Sequence, residues 1–338
     1  MILTVTLNLA LDVTYEVPHV DWNGVNRVGA VHRRAGGKGV NVARVLTALG
    51  RDVLVTGLAG GPTGRSIEDD LRAARLPTAL TPITADSRTT LTITEPPPAT
   101  PATPGTSRTT LSTPPPALGT PALGVPAAPE ASGGGRTALF NEPGPEVTAD
   151  ELAAFTRRYT ELLGHADAVV IAGSLPRGVP ADVYATLAAL AAGQGVPAIV
   201  DADGEPLRHA PEGRPAVVKP NADELARAVP GGTPAEGAEA LRARGAGAVV
   251  VSMGADGLLA VTGEGTFRAR MPYTVPGNPT GAGDALVAGL ALGLVERTPW
   301  PDRLRRAAAL GAAAVATPVA GEFDPAVYAA IHPLISLS

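Results

Sequence analysis

The chain of 338 residues contains no cysteine, which excludes a disulfide scaffold, a thiolate metal site and a thiol nucleophile. No run of about 18 or more apolar residues occurs, so no membrane-spanning helix is predicted. Met1 leads straight into ILTVTL with no basic segment before it, and no secretory leader is expected. Positive charge is scarce and scattered. The net charge of −5 comes without the clustered Lys and Arg that grip a phosphate backbone, so nucleic acid is not an expected partner. With 45% hydrophobic residues the chain has material for one large or two small domains. The expectation is a soluble, cytoplasmic protein.

Lysine is nearly missing. Of 27 basic residues only Lys38 and Lys219 are lysines; the rest are arginines. A GC-rich genome accounts for such a bias, but two positions escape it. A lysine differs from arginine as a compact point charge that fits where a planar guanidinium does not. Both lysines also stand in short Gly- or Pro-punctuated motifs, which nominates them for specific chemistry.

Most of the chain alternates two kinds of segment. Residues 2–7, 53–58, 168–173, 197–201, 216–219 and 248–253 read as short apolar strands. Residues 39–49, 64–75, 149–163, 180–193, 222–228, 234–244, 281–295, 301–317 and 325–331 have helical spacing. That alternation predicts an α/β fold, a mostly parallel sheet covered by helices on both faces. Segments 13–35 and 87–94 with 136–140 alternate instead as strands and read as a small β-sheet lid. The core then comprises 1–12, 36–86 and 141–338, and the lid 13–35 and 87–140.

The lid carries an insertion, 95–136, with 11 Pro and 6 Gly in 42 residues. Such a stretch cannot bury enough apolar surface to offset ordering entropy and is expected to be a disordered loop. Ser87-Arg88-Thr89-Thr90-Leu91 recurs within it as Ser107-Arg108-Thr109-Thr110-Leu111. Arg88 precedes the better alternating strand and is preferred to Arg108 as the functional copy.

Three motifs carry chemistry. Asn278-Pro279-Thr280-Gly281-Ala282-Gly283-Asp284 opens a helix with small residues, leaving backbone N–H groups available to an anion. Asp284 falls in the first turn, where the helix dipole is expected to keep it ionised and able to take a proton from an attacking hydroxyl. A plain capping Asp is the alternative. Gly36-Gly37-Lys38-Gly39-Val40-Asn41 opens a second helix. A Walker loop would need Ser or Thr at 39, and a dinucleotide fingerprint Gly at 42, where Val42 stands. Its glycines are expected to admit a polyhydroxy ligand, with Lys38 and Asn41 as donors. Lys219-Pro220-Asn221-Ala222-Asp223-Glu224 ends a strand, where ligands of open α/β sheets gather. Asn221 and Glu224 are spaced to order a hydrated Mg²⁺, or simply to start a helix. Asp12, after the first strand, and Ser252-Met253-Gly254-Ala255-Asp256-Gly257 are predicted at the same edge. A turn-forming Asp is the alternative for Asp12.

Together these residues resemble the ribokinase-like (PfkB) carbohydrate kinases. The likeness rests on GGKGVNVA at 36–43 with Gly50 and Gly60, and on Asn278-Pro279-x-Gly281-Ala282-Gly283-Asp284 with Ala288-Gly289. Within that family it is similar to the hexose-phosphate kinases, through TLNLALD, GVNRV, Ser87-Arg88-Thr89 and Asn141-Glu142-Pro143-Gly144-Pro145. The resemblance implies ATP as co-substrate with Mg²⁺, Asp284 as base and the N–H groups of 281–284 as anion hole. It implies Lys219, Asn221 and Glu224 around the metal and nucleotide phosphates, and Ser252–Gly257 along the nucleotide. Asp12, Gly37, Lys38, Asn41, Arg88 and, from the lid, Arg27 would hold the sugar phosphate. D-fructose 1-phosphate is the expected acceptor, with tagatose 6-phosphate and fructose 6-phosphate as alternatives. A non-catalytic sugar-phosphate-binding regulator is the reading of another class. In relatives the lid often pairs two subunits, so a homodimer is also an expectation. Leu9 stands where these relatives usually have Pro.

Overall fold

A computed structural model describes residues 1–95 and 136–338. The elements run β1 (Ile2–Thr6), β2 (Ala10–Glu16), β3 (Ala30–Gly36), α1 (Lys38–Ala48), β4 (Val53–Gly60), α2 (Gly61–Ala73), β5 (Thr78–Ile83), β6 (Arg88–Thr94) and β7 (Thr137–Asn141). They continue with α3 (Ala149–Leu163), β8 (Ala168–Ala172), α4 (Val183–Gly193), β9 (Ala198–Asp201), α5 (Gly204–His209), β10 (Val217–Val218), α6 (Ala222–Ala228) and α7 (Pro234–Ala243). The last are β11 (Ala248–Ser252), β12 (Leu258–Thr262), β13 (Gly265–Arg270), α8 (Ala282–Val295), α9 (Trp300–Val315), α10 (Pro325–Ile331) and β14 (Ser336–Leu337).

Ten strands form one sheet in the order β14-β13-β12-β11-β10-β9-β8-β1-β4-β5. From β11 to β5 every pairing is parallel; β12, β13 and β14 add an antiparallel margin. The parallel strands are apolar on both faces because both are covered. On β8, Val170 and Ala172 pack with α1, α8 and α9 residues, while Val169 and Ile171 pack with α3 and α4 residues. A second sheet of four strands has the order β3-β2-β6-β7.

Two compact units result. The larger holds Met1–Asp12, Arg33–Thr90 and Asn141–Ser338; the smaller holds Val13–His32 and, within Leu91–Phe140, the described residues on either side of 96–135. Almost all of the predicted insertion, including Arg108, lies outside the described residues.

The helices follow local signals. Helices α3, α6 and α7 each start with a reciprocal capping box, Thr148 with Glu151, Asn221 with Glu224 and Thr233 with Glu236. Helix α8 is apolar all round, as a helix buried between a sheet and a neighbour must be. It packs on α9 through Gly289, where a Cβ would sit 2.7 Å from Ala307 Cα.

Sequence and structure part at the margins. The strands predicted across 13–35 are shorter, with 17–29 outside them. Strands β5, β12, β13 and β14 and helix α5 had no clear pattern of their own in the sequence. Antiparallel β12 and β13 form a hairpin on the open side of β11, where pairing rather than a βα repeat decides the conformation.

Candidate active site

The carboxyl ends of adjacent parallel strands bring the sequence motifs together. Asp201 closes β9, Lys219 follows β10, and Ser252 closes β11. The first turns of α1 and α8 meet the same edge. Lys38 Nζ donates to Asp201 Oδ1 over 3.1 Å, and Lys219 Nζ lies 3.3 Å from that same oxygen. The chain's two lysines therefore converge on one carboxylate. Asp201 is 1% exposed, and its Oδ2 has no hydrogen-bond partner among the described residues. Burial disfavours the Asp201 charge, but Lys219 and Lys38 outweigh burial and hold the carboxyl below its ordinary range. Burial also disfavours the Lys38 ammonium, which the carboxylates of Asp201, Glu224 and Asp284 nevertheless lift above the usual lysine range.

Asp284 sits in the first turn of α8, buried, and accepts a hydrogen bond from Asn41 Nδ2 at 2.8 Å. The helix dipole by itself favours the ionised form. Instead burial, and next the nearby Asp201 charge, push its pKa up to about 6, against the pull of Asn41, Lys38 and Lys219. Gly281 caps α8 in the left-handed region (φ 86°), which only glycine adopts without strain. The predicted anion hole is narrower than expected at Ala282. That turn folds the Ala282 N–H back onto the Pro279 carbonyl at 3.2 Å, leaving the N–H groups of Gly281, Gly283 and Asp284 without acceptors among the described residues. Gly283 lies beside Lys219: a Cβ built on it would stand in ordinary contact, 3.4 Å, with Lys219 Nζ.

The glycines of the second motif make room for the chain itself, not only for a ligand. A Cβ on Gly36 would fall 2.0 Å from Asp12 Oδ2, and one on Gly39 2.4 Å from Thr6 Oγ1. Gly37, at φ 120°, turns the backbone between them. Burial raises the Asp12 pKa to about 6, opposed by a Thr90 hydrogen bond and by the charges of Arg88, Arg34 and Arg44. Arg88 is oriented by the carbonyls of Asn8 and Glu142, each 3.3 Å away. Arg27 belongs to the smaller unit, where it is exposed and has no hydrogen bond or ion pair among the described residues.

Asn221 and Glu224 do face each other across one turn, and they cap α6 in doing so. Asn221 Oδ1 accepts from the Glu224 N–H at 2.8 Å and Glu224 Oε2 from the Asn221 N–H at 2.7 Å. Glu224 Oε1 keeps no such bond among the described residues. Beside them the Ser252 N–H donates to the Pro220 carbonyl at 3.1 Å, so Ser252 and Met253 run alongside the Lys219 loop. A 3₁₀ turn at Gly254, Ala255 and Asp256 leads to Gly257, where a Cβ would collide with the Ala269 carbonyl at 2.0 Å.

Asp201 is the residue that sequence reasoning missed. Its signal was present: an acidic residue ending the apolar run PAIVD, at the edge where the other candidates gather.

This arrangement can neutralise and orient phosphates and can take up a proton: two ammonium groups, a helix N-terminus and a carboxylate of raised pKa share one edge of the sheet. The family profile described as pfkB family carbohydrate kinase matches residues 6–97 and 129–326, and the chain belongs to that family. The tagatose-6-phosphate kinase of Staphylococcus epidermidis (strain RP62A) is 30% identical over 319 residues, covering 92% of this chain and 91% of that protein. The phosphofructokinase-2 structure of Escherichia coli in its tetrameric inhibited form superposes with a TM-score of 0.80 at 28% identity, covering 98% of both chains. The possible 1-phosphofructokinase of Thermotoga maritima gives a TM-score of 0.79 at 25% identity, covering 100% of this chain and 98% of that one. Fold and family are thus those of a sugar kinase with a ribokinase-like architecture.

Proposed function

We propose that the protein is an ATP-dependent hexose-phosphate kinase converting D-fructose 1-phosphate to D-fructose 1,6-bisphosphate. The observation that carries this reading is Asp284 beside the free N–H groups of Gly281, Gly283 and Asp284 at the start of α8. A carboxylate there has its proton-accepting oxygens next to the place where a phosphoryl group is best held.

The acceptor hydroxyl attacks the γ-phosphorus of ATP while Asp284 takes its proton. An O–P bond forms to the sugar, the bond to the β,γ-bridging oxygen breaks, and ADP leaves. The three N–H groups stabilise the transferring phosphoryl oxygens, and Lys219 and Lys38 neutralise the charge on either side. Asp12, Gly37, Asn41 and Arg88 hold the acceptor, Arg88 taking its phosphate. Ser252–Gly257 line the nucleotide. Among the described residues no cluster of three or more His, Cys, Asp or Glu can hold a metal ion. Asn221 and Glu224, with one carboxylate oxygen to spare, fit instead a Mg²⁺ that keeps its waters and binds mainly through phosphates. When bound, Mg²⁺ supplies charge neutralisation of the nucleotide phosphates.

Tagatose 6-phosphate is the second reading, supported by the relative at 30% identity. A coupled assay of ADP release with fructose 1-phosphate, tagatose 6-phosphate and fructose 6-phosphate separates them. The highest kcat/KM is expected with fructose 1-phosphate. No ADP release above background with any of the three overturns the reading in favour of a non-catalytic sugar-phosphate-binding protein. Six of the nine exposed large hydrophobic residues among the described residues, Trp22, Val25, Val28, Val31, Leu139 and Phe140, belong to the smaller unit. Such a concentration supports self-association into a homodimer through that unit. Sedimentation of Trp22→Glu against wild type tests it, with a shift to monomer expected.

A further inference from the structure

The sharing of one oxygen by two lysines has no structural necessity. Two like charges held side by side repel, and a buried carboxylate with an unsatisfied second oxygen is expensive to keep. A buried ion pair is weak evidence for a stabilising role even when all its atoms are satisfied. Here Asp201 Oδ1 receives Lys38 from the first residue of α1 and Lys219 from the end of β10. Asp201 itself is fixed by β9, the strand between β8 and β10. The two ammonium groups thus lie within two hydrogen-bond lengths of each other. Lys38 remains 36% exposed at its side chain, whereas Lys219 is 4% exposed. One lysine can reach an incoming group, and the other is held against the first turn of α8 at Gly283.

We propose that Asp201 is the positioning residue of the phosphoryl transfer, a shared counter-ion that sets the spacing of Lys38 and Lys219. Lys219 is thereby aimed at the phosphoryl group held by α8, and Lys38 at the phosphate oxygens beside it. This rests on the kinase reading above. The groups facing Asp284 are Asn41 and Lys38 from α1, Asp201 from β9 and Lys219 after β10. Asp201 is the one negative charge among them, so it also keeps the base basic.

Two variants and two kinds of measurement test the proposal. Asp201→Asn keeps the shape but offers two ammonium groups only a neutral oxygen; Asp201→Glu keeps the charge but moves it by one methylene. Both are checked by circular dichroism for a native fold. In Asp201→Asn, kcat is expected to fall about 10²-fold, the scale of misplacing a reacting group by 1 Å, with less than a fivefold change in KM for ATP. The acid limb of its kcat/KM profile is expected to shift to lower pH. Asp201→Glu is expected to recover part of kcat and to restore the limb. A folded Asp201→Asn that retains more than a third of kcat with an unmoved limb overturns the proposal.

The second measurement needs no activity. With two lysines in the chain, protein labelled with ¹⁵N at lysine Nζ gives two side-chain ammonium signals. The nitrogens are read through the non-exchanging Hε protons, so the 36% exposure of Lys38 does not cost its signal. Both signals are expected in wild type and both are expected to shift together in Asp201→Asn. Independent behaviour, one signal changed and the other untouched, overturns the shared counter-ion. If wild type phosphorylates none of the three sugars, the substrate reading fails while the lysine signals still decide this proposal.

Discussion

Asn41 Nδ2 donates to Asp284 Oδ2 over 2.8 Å, tying the first turn of α1 to the first turn of α8. The bond fixes one carboxylate oxygen; on the proposed reading the other accepts the proton of the attacking hydroxyl. Asp284→Asn can keep it through the amide oxygen, so binding of ATP and sugar phosphate should survive. Turnover should fall by about 10²–10⁴-fold, the usual loss on removing a general base. Steady-state kinetics with isothermal titration on the same variant check it; retention of more than about a tenth of kcat contradicts the assignment.

The pH dependence follows from the same carboxyl. On the proposed reading Asp284 must be ionised to act as base, and its pKa is pushed up to about 6. Activity should therefore fall as pH drops through about 6. Stability runs the other way. A carboxyl whose folded pKa lies above its unfolded value of 3.8 binds its proton more tightly when folded. That contribution is complete below the unfolded pKa and is lost as pH rises through about 6. Asp284→Asn should accordingly raise Tm at pH 7.5 and change it little at pH 4. Thermal melts of both proteins across that range read the sign directly.

Replacing either lysine by arginine keeps the charge and should still damage catalysis. The Lys219 side chain is 4% exposed and its ammonium lies 3.3 Å from Asp201 Oδ1, so a larger planar guanidinium would have to displace its neighbours. We expect kcat to fall about 10²-fold in Lys219→Arg, with a smaller loss in the more exposed Lys38→Arg. Two variants indistinguishable from wild type would remove the significance of the two lysines.

The Glu95 N–H donates to the Arg136 carbonyl at 2.8 Å, so the two ends of the proline-rich insertion already adjoin. A few Gly and Asn residues in place of 96–135 should bridge them with activity preserved. The family profile also passes over 98–128. The deletion removes Arg108 and keeps Arg88. In the shortened protein Arg88→Ala should raise KM for the sugar phosphate about 10–100-fold, the size of a lost charge-assisted contact, and KM for ATP little. Loss of activity on deletion, rescued by restoring Arg108, would identify Arg108 as the working copy.

The parallel core was legible because βα repeats write themselves twice, as apolar runs and as helical spacing. Helices α3, α6 and α10 lie where those signals put them. The antiparallel margin was not legible, since β12 and β13 depend on each other and on β11 rather than on a local repeat. At the site, motif positions were readable but their couplings were not. No pattern within GGKG announces that Gly36 makes way for Asp12, nor that Lys38 ends on Asp201. Those are facts of packing between segments far apart in the chain. The raised pKa of Asp284 was equally hidden, because burial and the Asp201 charge overcame the helix dipole on which the sequence reading relied.

The bond between Asn41 and Asp284 spans 243 positions of sequence, and that between Lys38 and Asp201 spans 163. Contacts so distant form late in folding, after the loop-closure entropy between them has been overcome. On the ribosome, at roughly 5–20 residues per second, Asp284 emerges on the order of tens of seconds after Asn41. A growing chain thus displays both lysines well before it possesses Asp284, and the proposed phosphoryl transfer can begin only when α8 has docked. Recovered turnover in a refolding experiment therefore reports the docking of α1 and α8 at the ends of β9 and β10 rather than the formation of any local piece.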